Sequence, residues 1–244
     1  MINVSKKIKV LGLEIYCGKL EELCLNNKFL VNTISPNSFA ISEKDKTFKD
    51  ALKNTDILVL DGLYFGLAPL LLRGIKVKKN SGTDCFYYFL SRANEISGKV
   101  FFLGASLETL VKMEKKARID YPSITTESYA PPFRESFTKD DNEKMIKVIN
   151  QFNPDILFIG MTAPKQEKWA YEHKDKINAN IICTVGNVFD WFADNQKRPG
   201  KIWIKLGLEW FIRTIRRPEI LKRYPNVFKF FWILFLNIIR IRKD

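Results

Sequence analysis

Short apolar runs that each end at a glycine recur along this chain of 244 residues, and they constrain its fold more than any other feature. Residues 56–60, 99–103, 155–159 and 181–185 read DILVL, KVFFL, DILFI and IICTV, and glycine follows each run within two residues. Runs of this length and composition are typical of strands that are buried on both faces of a parallel sheet. Helical patterns separate the runs, so the sequence predicts an α/β fold with a mostly parallel sheet and helices on both faces.

The same patterns predict the remaining elements. We expect a hairpin or edge strand at residues 8–16, and further strands at 29–34 and 124–129. Helices are predicted at residues 20–27, 47–54, 63–73, 85–96, 107–120 and 139–152, with Thr138 as the cap of the last, and from residue 165 onward. Beyond residue 200 only helical patterns occur, so we expect an α/β domain at 1–200 and a helical appendage at 201–244.

Cysteine and histidine usage limits the metal chemistry open to the chain. Four cysteines lie in or beside apolar segments without metal-ligand spacing, which indicates reduced core thiols: Cys17, Cys24, Cys85 and Cys183. The single histidine, His173, lies in a polar helical segment, and we expect it to be solvated. A histidine-based metal site is therefore not expected, and the sequence predicts neither a metal nor a cofactor.

The positive charge is concentrated at the carboxyl end of the chain. Residues 196–244 hold 13 Lys and Arg against 3 Asp and Glu, which accounts for +10 of the formal net charge of +13. A local basic patch predicts an anionic partner, which is a phosphate group, a nucleic acid or an acidic lipid surface. Basic residues in this segment alternate with Phe, Trp and Leu, and these apolar residues are as frequent as in a protein core. Because this is not the pattern of exposed aromatics on a basic sheet that binds nucleic acid, we expect no nucleic-acid partner.

Residues 228–241 (FKFFWILFLNIIRI) are apolar almost all round. As a helix they would measure about 21 Å, which is short of the roughly 30 Å hydrocarbon core of a bilayer. Basic residues on both sides make this segment typical of an interfacial anchor on an anionic membrane surface. The alternative is that the helix packs on the domain or in a homo-oligomer interface.

Polar residues follow the predicted strands where ligands of open α/β sheets bind. Asp61 emerges from a buried strand, where partial desolvation raises a carboxyl pKa toward the range of a general base. Asp190, beyond another strand, has the acceptor oxygens that a ribose or base needs. For both residues the alternative is a helix cap. Neither a GxGxxG after the first strand nor a P-loop occurs, which argues against a standard dinucleotide or P-loop site.

No Asp-x-Asp pair that would hold a metal–diphosphate complex follows a strand. A diphosphate leaving group would therefore need Lys, Arg or helix dipoles for stabilisation.

Eight motifs occur in an order and spacing that resemble the WecG/TagA/CpsF glycosyltransferase family over roughly residues 8–225. They are ISPN (34–37), LDG (60–62), SGTD (81–84), FFLGAS (101–106), APKQEKW (163–169), GNVFDWFAD (186–194), KRPG (197–200) and GLEWFIRTIRRPEILKRY (207–224). The resemblance implies a bacterial, metal-independent, inverting hexosyltransferase with a Rossmann-like fold. Such an enzyme moves an N-acetylmannosamine-type sugar from a UDP donor to a polyprenyl-diphosphate-linked GlcNAc for cell-surface polysaccharide such as teichoic acid, capsule or exopolysaccharide. It acts peripherally at the cytoplasmic face of the inner membrane.

The resemblance also assigns roles to residues of this sequence. The family's base falls on Asp61, and the uridine-facing position falls on Asp190. Four positions at the rim, which is the edge formed by the carboxyl ends of the strands, are expected to meet sugar or diphosphate: Ser35, Asn37, Asp84 and Gln166. At the position of Ser35 the family usually has Thr. Appendage arginines expected to close over the diphosphate are Arg213, Arg217 and Arg223. The other motif residues expected at the substrate are Gly62, Gly82, Gly104, Lys165, Glu167 and Gly186.

Some residues depart from the family pattern. Lys79 stands where Arg is common before SGTD, Asn187 stands where a second glycine is common, and KRPG replaces a more usual RAP. These departures leave open a different UDP-hexose donor. A non-catalytic nucleotide-sugar-binding protein with the same fold is a further alternative.

Overall fold

The computed structural model describes residues 6–23, 27–62, 64–197, 200, 203 and 209–241. The strands are β1 (Lys7–Val10), β2 (Leu13–Tyr16), β3 (Phe29–Ile34), β4 (Ile57–Leu60), β5 (Lys99–Gly104), β6 (Thr125–Tyr129), β7 (Ile156–Gly160) and β8 (Ile181–Thr184). The helices are α1 (Pro36–Ser42), α2 (Lys46–Lys53), α3 (Leu67–Arg73), α4 (Gly82–Glu95), α5 (Leu107–Asp120), α6 (Lys139–Phe152), α7 (Lys165–His173), α8 (Val188–Phe192), α9 (Glu209–Arg216) and α10 (Tyr224–Ile241).

Strands β3 to β8 form one parallel six-stranded sheet in the order β4-β3-β8-β7-β5-β6. Strands β1 and β2 form a separate antiparallel hairpin, as the alternating pattern at residues 8–16 predicts. Long crossovers that contain helices connect the parallel strands, because a parallel partner cannot be reached by a tight turn. The predicted α/β fold class is confirmed.

Apolar side chains on both faces of the sheet form the core. On one face, alternate strand residues such as Val31, Phe102 and Phe158 pack with residues of α4, α5 and α8. On the other face, residues such as Leu157 and Ile182 pack with α6 and α7. Burial on both faces explains why these strands read as continuous apolar runs.

The last helix, α10, packs one of its faces against α1 and α3, in an apolar cluster shared with β3 and β4. Phe230 is fully buried, with its ring stacked on Phe65 at 5.1 Å between ring centroids and edge-on to Phe39 at 5.8 Å. Leu234, one turn later, is also buried. Packing on the domain, which the sequence left as an alternative, is therefore correct for this face. Across the described residues, no helix is both long enough and apolar enough to cross a bilayer.

Several details differ from the sequence-based expectations. A helix is predicted at residues 20–27, but the structure has a single 3₁₀ turn there, Leu20–Glu22. Residues 24–26 of the predicted helix lie outside the described residues. His173 is only 6% exposed, so the prediction of a solvated histidine is wrong. Its ring packs against Trp169, and burial lowers its pKa and favours the neutral form.

The described cysteines are free thiols, as expected. Cys85 and Cys183 are buried and Cys17 is half-buried, whereas Cys24 lies outside the described residues. The division into domains at residue 200 stays a prediction.

We predict that Phe230→Ala destabilises the protein by about 3–5 kcal/mol, because it removes a buried aromatic ring and leaves a cavity. Phe228→Ala is the matched control on the same helix, since Phe228 is exposed and its loss costs about 0.5 kcal/mol or less. Urea unfolding of both variants measures the difference. Equal losses of unfolding free energy would contradict the packing of α10 on the domain.

Candidate active site

The carboxyl ends of the adjacent strands β4, β3 and β8 form one side of the sheet's rim. Asp61 follows β4, and its backbone N–H donates to the Ile34 carbonyl at the end of β3 at 2.9 Å. The Asn80 N–H donates to the Leu60 carbonyl at 3.0 Å, which brings the segment before α4 to the same edge. Three strand ends and the start of α4 therefore meet where a ligand of an open α/β sheet is expected.

Asp61 is half-buried at this rim. The next helix, α3, begins six residues later with Gly66 at its N-cap and without a side-chain cap, so the capping alternative for Asp61 is wrong. Asp61 and Asp84 both lie near the Cys85 thiol. A hydrogen bond with Cys183 and burial raise the Cys85 pKa well above its usual value, and the charges of Asp84 and Asp61 add to this effect. The two carboxylates thus share one region of the rim.

Asp84 belongs to the first turn of α4. Its Oδ2 accepts hydrogen bonds from the Ser81 backbone N–H and hydroxyl, both at 2.7 Å, in a capping box that fixes the start of the helix. Gly82 lies against the end of β8, where an added Cβ would approach the Val185 carbonyl oxygen to 3.1 Å. Gly82 thus serves close packing, which holds the exposed Asp84 at the rim.

Two predicted rim residues follow β3. Ser35 is the N-cap of α1, and its Oγ accepts from the Ser38 N–H at 3.2 Å, so its hydroxyl has a capping role. Asn37 is half-buried, and its Oδ1 accepts from the Asn226 side-chain amide at 3.0 Å. Because Asn226 lies in α10, this bond ties the last helix to the rim.

The segment after β8 brings Asp190 and Arg217 together. The Gln196 Nε2 donates to Asp190 Oδ2 at 3.4 Å, and Arg217 Nη1 donates to Gln196 Oε1 at 3.0 Å. Helix α8 has Asn187 at its N-cap, so Asp190 is not a cap. The sequence reasoning missed Gln196, although its place just after the GNVFDWFAD motif was a signal.

The other predicted residues are more dispersed. Lys165 Nζ donates to the Arg134 carbonyl and lies 3.6 Å from the centre of the Phe137 ring, beside the loop that follows β6. Arg223 is exposed at the end of the 3₁₀ turn Pro218–Arg223, and the side chain of Arg213 lies outside the description.

Glycines hold the loops of the rim close together. Gly62 and Gly186 adopt positive φ angles of 80° and 61° just beyond β4 and β8. Gly104 packs on β7, where an added Cβ would approach the Gly160 carbonyl oxygen to 2.5 Å. These contacts place glycine backbone, without side chains, at the strand ends.

Gln166 and Glu167 lie beneath the rim and not at its surface. They are 4% and 2% exposed, so the predicted direct contact of Glu167 with substrate does not fit its burial. Gln166 Oε1 accepts from the Met161 N–H at 3.2 Å and the Gly186 N–H at 3.1 Å. The Gln166 amide therefore links the loop after β7 to the loop after β8.

Metal-ligating side chains do not cluster in the part of the chain that the structure describes: no group of three His, Cys, Asp or Glu is arranged around a common point. Metal independence remains a prediction.

Comparison with known proteins gives the family. The sequence model of the glycosyl transferase WecG/TagA/CpsF family matches residues 3–244. The chain belongs to this family.

Two relatives carry the same name, N-acetylglucosaminyldiphosphoundecaprenol N-acetyl-beta-D-mannosaminyltransferase. The protein from Bacillus subtilis (strain 168) is 26% identical over 221 residues, which cover 90% of this chain and 84% of the relative. The protein from Staphylococcus aureus (strain NCTC 8325 / PS 47) is 28% identical over 190 residues, which cover 78% of this chain and 72% of the relative.

Burial raises the pKa of Glu167 from 4.5 to about 7, so the folded protein retains a proton that the unfolded chain has lost above about pH 4.5. We predict that this group stabilises the fold fully below pH 4.5 and that its contribution falls by about 3 kcal/mol as pH rises to 7. Glu167→Gln cannot ionise and lacks this loss. Urea unfolding of both proteins at pH 5 and pH 8 should show that the free energy of unfolding of the variant rises, relative to that of the wild type, between pH 5 and pH 8. Parallel pH dependences would contradict the prediction.

Proposed function

We propose that the protein transfers an N-acetylmannosamine-type sugar from a UDP donor to a polyprenyl-diphosphate-linked GlcNAc in the synthesis of bacterial cell-surface polysaccharide. The names of the relatives support the acceptor and the sugar, since both are N-acetylglucosaminyldiphosphoundecaprenol N-acetyl-beta-D-mannosaminyltransferases. The family match over residues 3–244 supports the same reaction class. The placement of Asp61 at the rim is the observation that carries the mechanism.

Asp61 is the proposed general base. A single displacement at the anomeric carbon needs one group that takes the proton from the attacking acceptor hydroxyl, and it inverts the configuration. Asp61 lies at the end of β4, half-buried and next to the end of β3. A carboxylate on a strand end is held by the sheet, so its oxygen can be aimed at the acceptor without a mobile loop.

Arg217 is the proposed stabiliser of the departing UDP. Its guanidinium reaches the loop after β8 through Gln196, on the side where Asp190 offers a carboxylate to the uridine. A positive group at the leaving diphosphate offsets the charge that develops as the glycosidic bond breaks. Arg213 and Arg223 belong to the same proposal as further cations of the appendage.

We predict that Asp61→Asn lowers the rate of transfer by a factor of about 10²–10⁴ and leaves UDP affinity within a few-fold of the wild type. The measurements are UDP release with a soluble GlcNAc-diphosphate-lipid analogue and calorimetric titration with UDP. Asp175→Asn is the matched control, since Asp175 is exposed in the turn that precedes β8, at the opposite edge of the sheet. Wild-type turnover in Asp61→Asn would contradict the assignment of the base.

The proposal includes peripheral attachment to the cytoplasmic face of the membrane, where a lipid-linked acceptor lies. The face of α10 opposite the buried Phe230 is an exposed apolar stripe at helical spacing: Phe228, Trp232, Phe235, Leu236 and Ile239. Exposed Lys222 and Arg223 precede this stripe, and exposed Arg240 ends it. An apolar stripe between cations fits an anionic bilayer surface.

We predict that the double variant Trp232→Ser/Phe235→Ser binds vesicles of anionic phospholipid at least about tenfold more weakly, because it removes two large side chains from the exposed stripe. Val111→Ser/Ile119→Ser is the matched control, since these exposed apolar residues lie on α5. Vesicle co-sedimentation measures binding, and thermal denaturation checks that both variants fold. Equal partitioning of both variants would contradict the anchor.

A further inference from the structure

A buried polar pair under the rim takes part in no step of the proposed reaction. Gln166 and Glu167 open helix α7 and are 4% and 2% exposed. Burying an amide and a carboxyl is costly unless they are hydrogen-bonded, so their partners indicate what the pair does.

The Gln166 oxygen holds two loops at once. It accepts from the backbone N–H of Met161, directly after β7, and from that of Gly186, directly after β8. Both N–H groups lie where strand pairing has stopped, so the amide oxygen replaces the ladder partner that they have lost. The loop that it fixes after β8 leads within four residues to Asp190.

Glu167 contacts the nitrogen end of the same Gln166 amide. Glu167 Oε1 accepts from Gln166 Nε2 at 2.8 Å. A side-chain amide has one acceptor oxygen and one donor nitrogen, and the reversed orientation would set NH₂ against the two backbone N–H groups. An acceptor at Glu167 therefore selects the orientation in which the oxygen meets both loops.

We propose that Glu167 is a positioning residue: it orients the Gln166 amide, and the oriented amide fastens the loops after β7 and β8 into the arrangement that the donor nucleotide meets. This inference rests on the proposed function only for its effect on turnover. The effect on the two loops stands independently of it.

The surroundings of Glu167 fit this role better than an ion pair. The adjacent Lys168 pairs with Asp45 of α2 at 3.0 Å, and Lys165 is directed to the Arg134 carbonyl. Among the described residues, Glu167 Oε2 has no hydrogen-bond partner. Burial raises the Glu167 pKa to about 7, and a neutral carboxyl still offers a carbonyl oxygen to the amide. A glutamine at this position offers the same acceptor.

Amide hydrogen exchange at Met161 and Gly186 tests this clamp, by which Gln166 and Glu167 fasten the loops after β7 and β8, without any substrate. We expect Glu167→Leu to speed exchange of both amides at least about tenfold, and Glu167→Gln to keep them within about threefold of the wild type. Thermal denaturation confirms that each variant is folded under the exchange conditions. Unchanged protection in folded Glu167→Leu would overturn the proposal, as would equal loss of protection in both variants.

A double-mutant cycle on kcat/KM for the UDP-sugar tests the consequence for turnover. We expect Glu167→Leu and Gln166→Leu each to lower kcat/KM about tenfold, and the double variant to be no worse than Gln166→Leu alone. If the fold-losses in kcat/KM of the two single variants multiply in the double variant, the proposal is overturned, because Glu167 would then act separately from Gln166. Absence of transfer in the wild type, with the exchange result as expected, would refute the proposed function and retain the clamp.

Discussion

The close approach of backbone at the carboxyl edge of the sheet is the constraint on which the rest of the structure depends. An added Cβ at Gly104 would lie 2.5 Å from the Gly160 carbonyl oxygen, and one at Gly160 would lie 2.4 Å from the Phe189 ring. These distances are shorter than any side chain permits, so β5, β7 and the segment after β8 meet only because two glycines end their strands. The Phe189 ring then closes the core directly under the rim. The polar side chains of the rim therefore lie above a close-packed apolar floor.

The carboxyl-terminal part of the chain acts on this rim from two directions. Arg217 reaches the loop after β8 through Gln196, and Asn226 reaches Asn37 in the first turn of α1, just after β3. The second contact is possible because Phe230, one turn further along the same helix, is fixed in the core beside α1. One helix therefore supplies core packing, a rim contact and an exposed apolar surface. A change in its seating would alter the site and the proposed membrane surface together.

Most elements could be predicted from the sequence because they depend on local patterns. The bounds of β3, α5 and α6 agree with the predicted residues, and Thr138 caps α6 as expected. The prediction that His173 is solvated was wrong because burial is set by tertiary packing and not by a local pattern. Its burial depends on Trp169 one turn earlier and on the sheet beneath, and charged neighbours in the sequence do not report such contacts. The bonds from Arg217 to Gln196 and from Asn226 to Asn37 escaped prediction likewise, because a polar residue's partner across more than twenty positions leaves no local pattern.

The PKQE motif shows why a motif identifies a site better than it assigns its chemistry. Consecutive residues of a helix point about 100° apart, so three adjacent polar side chains cannot serve one ligand. In this chain Lys165 turns toward the loop after β6, and Gln166 turns toward two strand ends. Glu167 turns inward to hold Gln166, and Lys168 pairs with Asp45 on the neighbouring helix. The sequence reasoning placed all of the first three at the substrate. Their contacts fit a framework that holds the loops after β7 and β8, while the half-buried Asp61, held by its strand, remains the proposed chemical group.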